Sequence, residues 1–244
     1  MANKPLIVIT GASSGFGAKT AQLFNQAGYP LLLLARRIEK IKELPLDFNN
    51  VLIEQVDVSN SQEFKQAIKK AEAIYGPTDL LVNNAGIMLL GNIVTQSEDE
   101  WQKMIQTNII GVLNGMKIVL EDMTSRNSGT IINISSIAGF KAFTDHAAYG
   151  ASKFGVHGLT ETVRQEVANS NVRISLVSPG AAETELLTHV TNEKSLDDYL
   201  SWKDSMGGLT LDPEKVAETI KFIYDMPQEV TIREIAIAAT KQQA

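Results

Sequence analysis

Tyr149 and Lys153 stand four residues apart in Tyr149-Gly150-Ala151-Ser152-Lys153. That spacing puts a phenol and an ammonium on one face of a helix. Tyrosine ordinarily titrates at about pH 10, and a neighbouring cation favours the phenolate, which brings the group toward acid–base work near neutrality. The same spacing also occurs in plain surface pairs. Two further polar residues point the other way. Ser136 ends the run Ile134-Ser135-Ser136, thirteen residues before Tyr149, so a strand end and a helix start can bring the two hydroxyls together. Asn108 interrupts an otherwise apolar helical stretch at Thr107-Asn108-Ile109, where its plain role is to bond the backbone and bend the helix.

A second constellation suits a dinucleotide. Thr10-Gly11-Ala12-Ser13-Ser14-Gly15-Phe16-Gly17 follows an apolar run and opens a helical segment. There glycines let the backbone approach a pyrophosphate and the helix start meets its charge. The spacing differs from the G-x-G-x-x-G fingerprint, and a glycine-rich turn alone would be weak evidence. The place of the usual ribose-reading acid is taken by Ala35-Arg36-Arg37, and two guanidiniums suit a 2′-phosphate, so NADP is expected over NAD. Glu39 nearby leaves NAD open, and both arginines also suit a solvated helix start. Asp57-Val58 and Asn83-Asn84-Ala85-Gly86 end two further runs, where turn chemistry would equally place them.

These residues need a scaffold that gathers strand ends. The runs LIVIT, PLLLLA, VLIEQV, DLLVNN, GTIINIS, VRISLVS and IREIAIA alternate with segments of helical period near 15–28, 61–75, 97–125, 147–169 and 213–225. Nearly continuous apolar runs separated by crossover-length segments predict an α/β fold, a doubly wound parallel sheet of about seven strands in one domain over 1–244. At 44% hydrophobic and 20% charged residues the chain can bury such a core. With no cysteine, disulfides, thiolate metal sites and a cysteine nucleophile are excluded. His146, His157 and His189 show no metal-ligand spacing, so no metal is expected. The net charge of −6 and the lack of a basic cluster argue against nucleic acid, and no run approaches a membrane span or a signal-peptide core. A cytoplasmic protein is the expectation.

With these motifs in order, the chain resembles the short-chain dehydrogenase/reductase family over essentially its full length. Thr10 to Gly17 is similar to that family's glycine motif, Asn83 to Gly86 to its N-N-A-G segment, Tyr149 with Lys153 to its Y-x-x-x-K motif, and Pro179-Gly180 followed by Thr184 to its P-G segment near the nicotinamide. The tail Ile232 to Gln242 resembles the NADP-dependent 3-hydroxy acid and serine dehydrogenase branch and departs from the glycine-ended tail of 3-oxoacyl-carrier-protein reductases. The resemblance implies a Rossmann-type fold and a catalytic tetrad of Asn108, Ser136, Tyr149 and Lys153. Tyr149 would pass the proton, Ser136 would bond the substrate oxygen, Lys153 would lower the Tyr149 pKa and bond the nicotinamide ribose, and Asn108 would hold a water. It implies cofactor contacts at Gly11, Ser13, Ser14, Gly15, Phe16, Gly17, Arg36, Arg37, Asp57, Val58, Asn84, Ala85, Gly86, Tyr149, Lys153, Pro179, Gly180 and Thr184, with Asp57 at adenine.

The implied reaction is hydride transfer between NADPH and a small ketone, keto ester or 3-hydroxy acid. The segment 185–209, with Asp197, Asp198, Tyr199 and Trp202, is the expected substrate lid, against the plainer reading of a packed surface helix pair. Ser136, Phe143, Tyr149 and Leu186 are expected at the substrate, and Lys141 is a candidate for a substrate carboxylate. A homotetramer built on the helices near 97–125 and 147–169 follows from the resemblance. The alternatives are a 3-oxoacyl-carrier-protein or steroid-type reductase, for which the net charge offers no docking support, and a non-catalytic dinucleotide sensor.

Overall fold

The apolar runs become seven parallel strands: β1 (Leu6–Thr10), β2 (Leu31–Ala35), β3 (Val51–Gln55), β4 (Thr78–Asn83), β5 (Gly129–Ile134), β6 (Val172–Pro179) and β7 (Glu234–Ile237). They form one sheet in the order β3-β2-β1-β4-β5-β6-β7. This is a computed structural model, and it describes residues 4–205, 207 and 210–242. Every residue of β1, β2, β5 and β6 is buried, which is why those runs lack polar alternation. The last strand is shorter than the predicted run 232–238. It lies at the sheet edge, and its residues alternate between exposed and half-buried.

The eight helices of the described residues are α1 (Gly15–Gln26), α2 (Ile38–Lys42), α3 (Ser61–Tyr75), α4 (Glu98–Ile105), α5 (Gly111–Ser125), α6 (Ala147–Glu166), α7 (Glu193–Ser205) and α8 (Pro213–Tyr224). None is long and apolar enough to cross a membrane. On one sheet face, Phe64 and Ile68 of α3, Val112 and Met116 of α5 and Val156 of α6 pack on Leu6, Val8, Leu32 and Leu34. On the other, Ala21 and Phe24 of α1 and Val216 and Ile220 of α8 pack on Ile7, Ile9, Leu31 and Leu33. Alternate residues of one strand thus feed two cores, the doubly wound arrangement expected.

The predicted helix 97–125 is divided. A π-helical turn, Gln106–Ile110, separates α4 from α5 and turns Asn108 inward, where it is buried. The cause is a backbone partner across the gap: Asn108 Oδ1 accepts from the Ile87 N–H (2.9 Å), and its Nδ2 donates to the Ile87 carbonyl (2.9 Å) and to Ser152 Oγ (3.0 Å). A single π turn in a helix is a frequent mark of a functional position.

Opposite the site, buried Arg173 ties β6 to the end of α8. It donates to the carbonyls of Ile223 (3.2 Å), Tyr224 (2.9 Å) and Met226 (2.7 Å) and to Thr130 Oγ1 (2.7 Å), so a cation meets the carbonyl end of a helix. Arg173→Leu strips several buried acceptors of their partner and is expected to cost about 3 kcal/mol. At this chain length that corresponds to a fall of about 6–12 °C in Tm. Thermal unfolding by circular dichroism checks it, and an unchanged Tm would contradict it.

Candidate active site

The sheet order reverses between β1 and β4, and a crevice opens beyond the carboxyl ends of the strands there. It holds a cavity of about 340 Å³ that runs from the β1–α1 loop to the segment after β6.

The loop at one end is built by close backbone contact. Gly11 has φ +64°, and a Cβ on it would lie 2.8 Å from Ala85 Cα. A Cβ on Gly17 would lie 2.4 Å from the Gly11 carbonyl oxygen. Asn84 stitches this loop to the end of β4, its Nδ2 donating to the carbonyls of Thr10 (2.9 Å) and Gly11 (3.2 Å). The Asn84 and Ala85 amides in turn donate to Thr10 Oγ1 (2.9 and 3.0 Å). Ser14 precedes α1 without a side-chain capping bond, and no acid stands in the first turn, so the helix start keeps amides available to an anion.

Gly11, Ser13, Ser14 and Phe16 line the cavity, as do Ala85, Gly86, Pro179, Gly180 and Thr184. Gly15 and Gly17 do not. Gly17 lies beneath the loop and allows its packing, while Gly15 (φ +52°) faces a neighbouring hollow against Thr184.

Arg36, Arg37, Asp57 and Val58 line the cavity at the ends of β2 and β3. Arg37 is not free: its Nη2 meets Glu185 Oε2 at 3.1 Å, and Lys40 Nζ meets Oε1 of the same carboxylate at 2.6 Å. Burial pushes the Asp57 carboxyl up, but bonds from the Ser59 hydroxyl (2.7 Å) and amide (2.9 Å), with the Arg36 charge, hold it below its ordinary value.

Ser136, Tyr149 and Lys153 meet on the cavity wall, Ser136 just past β5 and the other two on the first turns of α6. Ser136 Oγ accepts from the Ala138 amide (3.1 Å), starting a 3-10 turn, Ile137–Gly139. Lys153 Nζ donates to the Ile134 carbonyl (3.0 Å) and lies 5.8 Å from the Tyr149 ring centroid. Burial raises the Tyr149 pKa well above its ordinary value, only partly offset by the Ser136 hydroxyl, and lowers that of Lys153 to about 8. The expected lowering by Lys153 is not among the causes of the Tyr149 shift. Burial of the phenol is the largest cause of the shift, and it favours the protonated form.

Asn108 lies behind the wall rather than on it. Both of its side-chain N–H groups are committed, to Ile87 and Ser152, and Ser152 Oγ donates to the Tyr149 carbonyl (2.6 Å). The chain of bonds therefore ends at the backbone of Tyr149. A side chain so committed acts as a strut behind the Tyr149 turn.

The remaining wall is apolar and aromatic. Phe143, Leu186, Tyr199 and Trp202 line it, with Tyr199 and Trp202 carried by α7. Thr184 starts a 3-10 helix, Glu185–His189, by accepting from the Leu186 amide (3.3 Å). Residues 206, 208 and 209 of the predicted lid lie outside the described residues. Lys141 does not line the cavity.

Sequence reasoning missed Asp145 and Ser195, which do line it. Asp145 takes φ +59°, which no side-chain pattern announces. Sequence also missed how the tail closes the nicotinamide-side loop: Gln242 Oε1 accepts from the Ala181 amide (2.9 Å), against Gly180.

The short chain dehydrogenase family profile matches residues 5–195. An uncharacterised oxidoreductase of Staphylococcus saprophyticus is 35% identical over 241 residues, covering 97% of this chain and 96% of that one. Among solved structures, a closed form of serine dehydrogenase complexed with NADP+ superposes with a TM-score of 0.90 at 30% identity, covering 98% of this chain and 96% of that one. ElxO with NADP bound gives 0.83 at 31% identity, covering 96% and 97%. Glycine loop, strand-end asparagine and the Ser136, Tyr149 and Lys153 group thus lie in a fold that its relatives share, and the chain belongs to the short chain dehydrogenase family.

Proposed function

We propose that the protein is an NADPH-dependent carbonyl reductase, working reversibly on a small ketone, keto ester or secondary alcohol, with 185–209 as its lid. The observation that carries this is the buried Tyr149 beside Ser136 and Lys153, in one cavity with the glycine loop. The cradle fits a dinucleotide: Gly11, Ser13 and Ser14 line it, Gly11 lies with its backbone too close to Ala85 for any side chain, and the first amides of α1 are free of side-chain caps. Arg36 and Arg37 suit a 2′-phosphate, and the serine dehydrogenase and ElxO structures above hold NADP.

When bound, the cofactor supplies the hydride. The chain's own groups do the rest. Ser136 Oγ and the Tyr149 phenol hydrogen-bond the substrate oxygen, which fixes the carbonyl carbon for attack and stabilises the charge that develops on the oxygen. Tyr149 then gives its proton to that oxygen. Lys153, cationic below about pH 8, stabilises the phenolate left behind and bonds the cofactor ribose. Asn108 positions the Tyr149 turn through Ser152. In oxidation each step runs in reverse.

Because Lys153 loses its charge as pH rises through about 8, carbonyl reduction is expected to stay level from about pH 6 and to fall above about pH 8. A pH profile of kcat in the reducing direction checks this, and a rate that climbs through pH 9 would contradict it. The assembly is proposed as a homo-oligomer that covers Leu113 of α5 and Phe154 of α6, both exposed in the single chain. Gel filtration at the monomer volume would contradict that. Reduced nicotinamide absorbance with a ketone panel tests the activity itself.

A further inference from the structure

The Arg and Lys side chains that line the cavity are Arg36, Arg37 and Lys153. Arg36 and Arg37 lie past β2, and Lys153 Nζ is held on the Ile134 carbonyl. Beyond Tyr149, toward the lid, the wall is a chain of rings. Centroid separations are 5.5 Å for Phe143 and His146, 6.3 Å for His146 and Tyr199, 5.3 Å for Tyr199 and Trp202, and 6.0 Å for Phe143 and Trp202. Burial lowers the His146 pKa below its ordinary value, so that ring is neutral at physiological pH. Lys203 is paired with Glu183 and does not line the cavity, and neither does Lys141. Among the described residues, no permanent cation faces the substrate end.

Two carboxylates do. Asp198 is paired with Lys194 one helical turn away, which cancels most of its field. Asp145 makes no ion pair among the described residues, although the Lys194 charge is felt at it; its Oδ2 accepts from the hydroxyl of Ser195 (3.1 Å), an uncharged donor that is itself buried. A half-buried carboxylate beside aromatic faces attracts an ammonium twice, through its charge and through the ring quadrupoles. It repels a second carboxylate by the same field.

From this we infer that the substrate end selects by charge, preferring an aryl ketone or alcohol that carries a protonated amine over its neutral analogue and rejecting one that carries a carboxylate. The inference rests on the reductase reading and narrows it: the 3-hydroxy acids among the expected substrates have no cation to meet them here.

The test compares three ketones of matched size with NADPH: para-(aminomethyl)acetophenone, para-methylacetophenone and para-acetylbenzoate. The cationic ketone is expected to exceed the anionic one in kcat/KM by about tenfold or more, with the neutral compound between them. Added salt should shrink the spread. Asp145→Asn keeps the shape, tolerates the left-handed backbone and can still accept from Ser195. It is expected to cut the cation-to-neutral ratio several-fold. An acid turned over as well as the neutral ketone, or a ratio that Asp145→Asn leaves untouched, overturns the charge selection while the reductase reading survives. Failure to reduce even the neutral ketone would count against that reading and remove this inference with it.

Discussion

Replacing Tyr149 by phenylalanine is expected to lower carbonyl reduction by about a thousandfold or more while leaving affinity for NADPH within a few-fold. A positioned general acid contributes about 10²–10⁴ in rate. Tyr149 is also a hydrogen-bond donor to the oxygen on which charge builds, so both contributions fall together. The ring itself stays, with its contacts to the buried cluster of Ile87, Met88, Leu90 and Ala138. Stability should therefore change little, and the fold of the cofactor end, reached through Gly11 and Asn84, should not change at all. Steady-state rates set beside fluorescence titration with NADPH separate the two effects. A phenylalanine variant with more than about a tenth of the wild-type rate would remove the phenol from the mechanism.

Arg36→Leu is expected to weaken NADPH binding by about ten- to a hundredfold and to leave NADH nearly unaffected, because charge-assisted bonds to a phosphate contribute about 1.5–3 kcal/mol. The effect should be larger at Arg36 than at Arg37, whose guanidinium already shares Glu185 with Lys40. Arg36 faces the cavity with its charge beside Asp57, a carboxylate already satisfied by Ser59. Dissociation constants for both cofactors in the two variants check the order. Equal losses for NADPH and NADH would mean that the arginine supports the loop rather than reading the 2′-phosphate.

Much of this architecture was legible in the residues. Continuous apolar runs such as LLLLA mean a strand covered on both faces, and β2 is buried throughout. The Tyr149 and Lys153 spacing places both on the first turns of α6 and on the cavity wall, as the helical period requires. What the pattern does not carry is set by partners distant in sequence. Asn108 looked like a helix interruption, and the reason for it is the backbone of Ile87 together with Ser152. Gly17 sits in the motif but works from below, against the Gly11 carbonyl. The direction of the Tyr149 shift depends on how dry its corner is, which is a property of packing and not of spacing. Asp145 carries no local signal at all, since its partner on the cavity wall is the Ser195 hydroxyl of α7, fifty residues away in sequence.

The most direct measurement follows a deuterium label from NADPH, carried at C4 of the nicotinamide in each stereochemical position in turn, into the product of para-methylacetophenone reduction. One of the two labelled cofactors is expected to place deuterium on the carbinol carbon at every turnover, and Tyr149→Phe to give almost no product under the same conditions. Alcohol formed without label from either cofactor, or formed as fast by the phenylalanine variant, would contradict hydride transfer assisted by Tyr149.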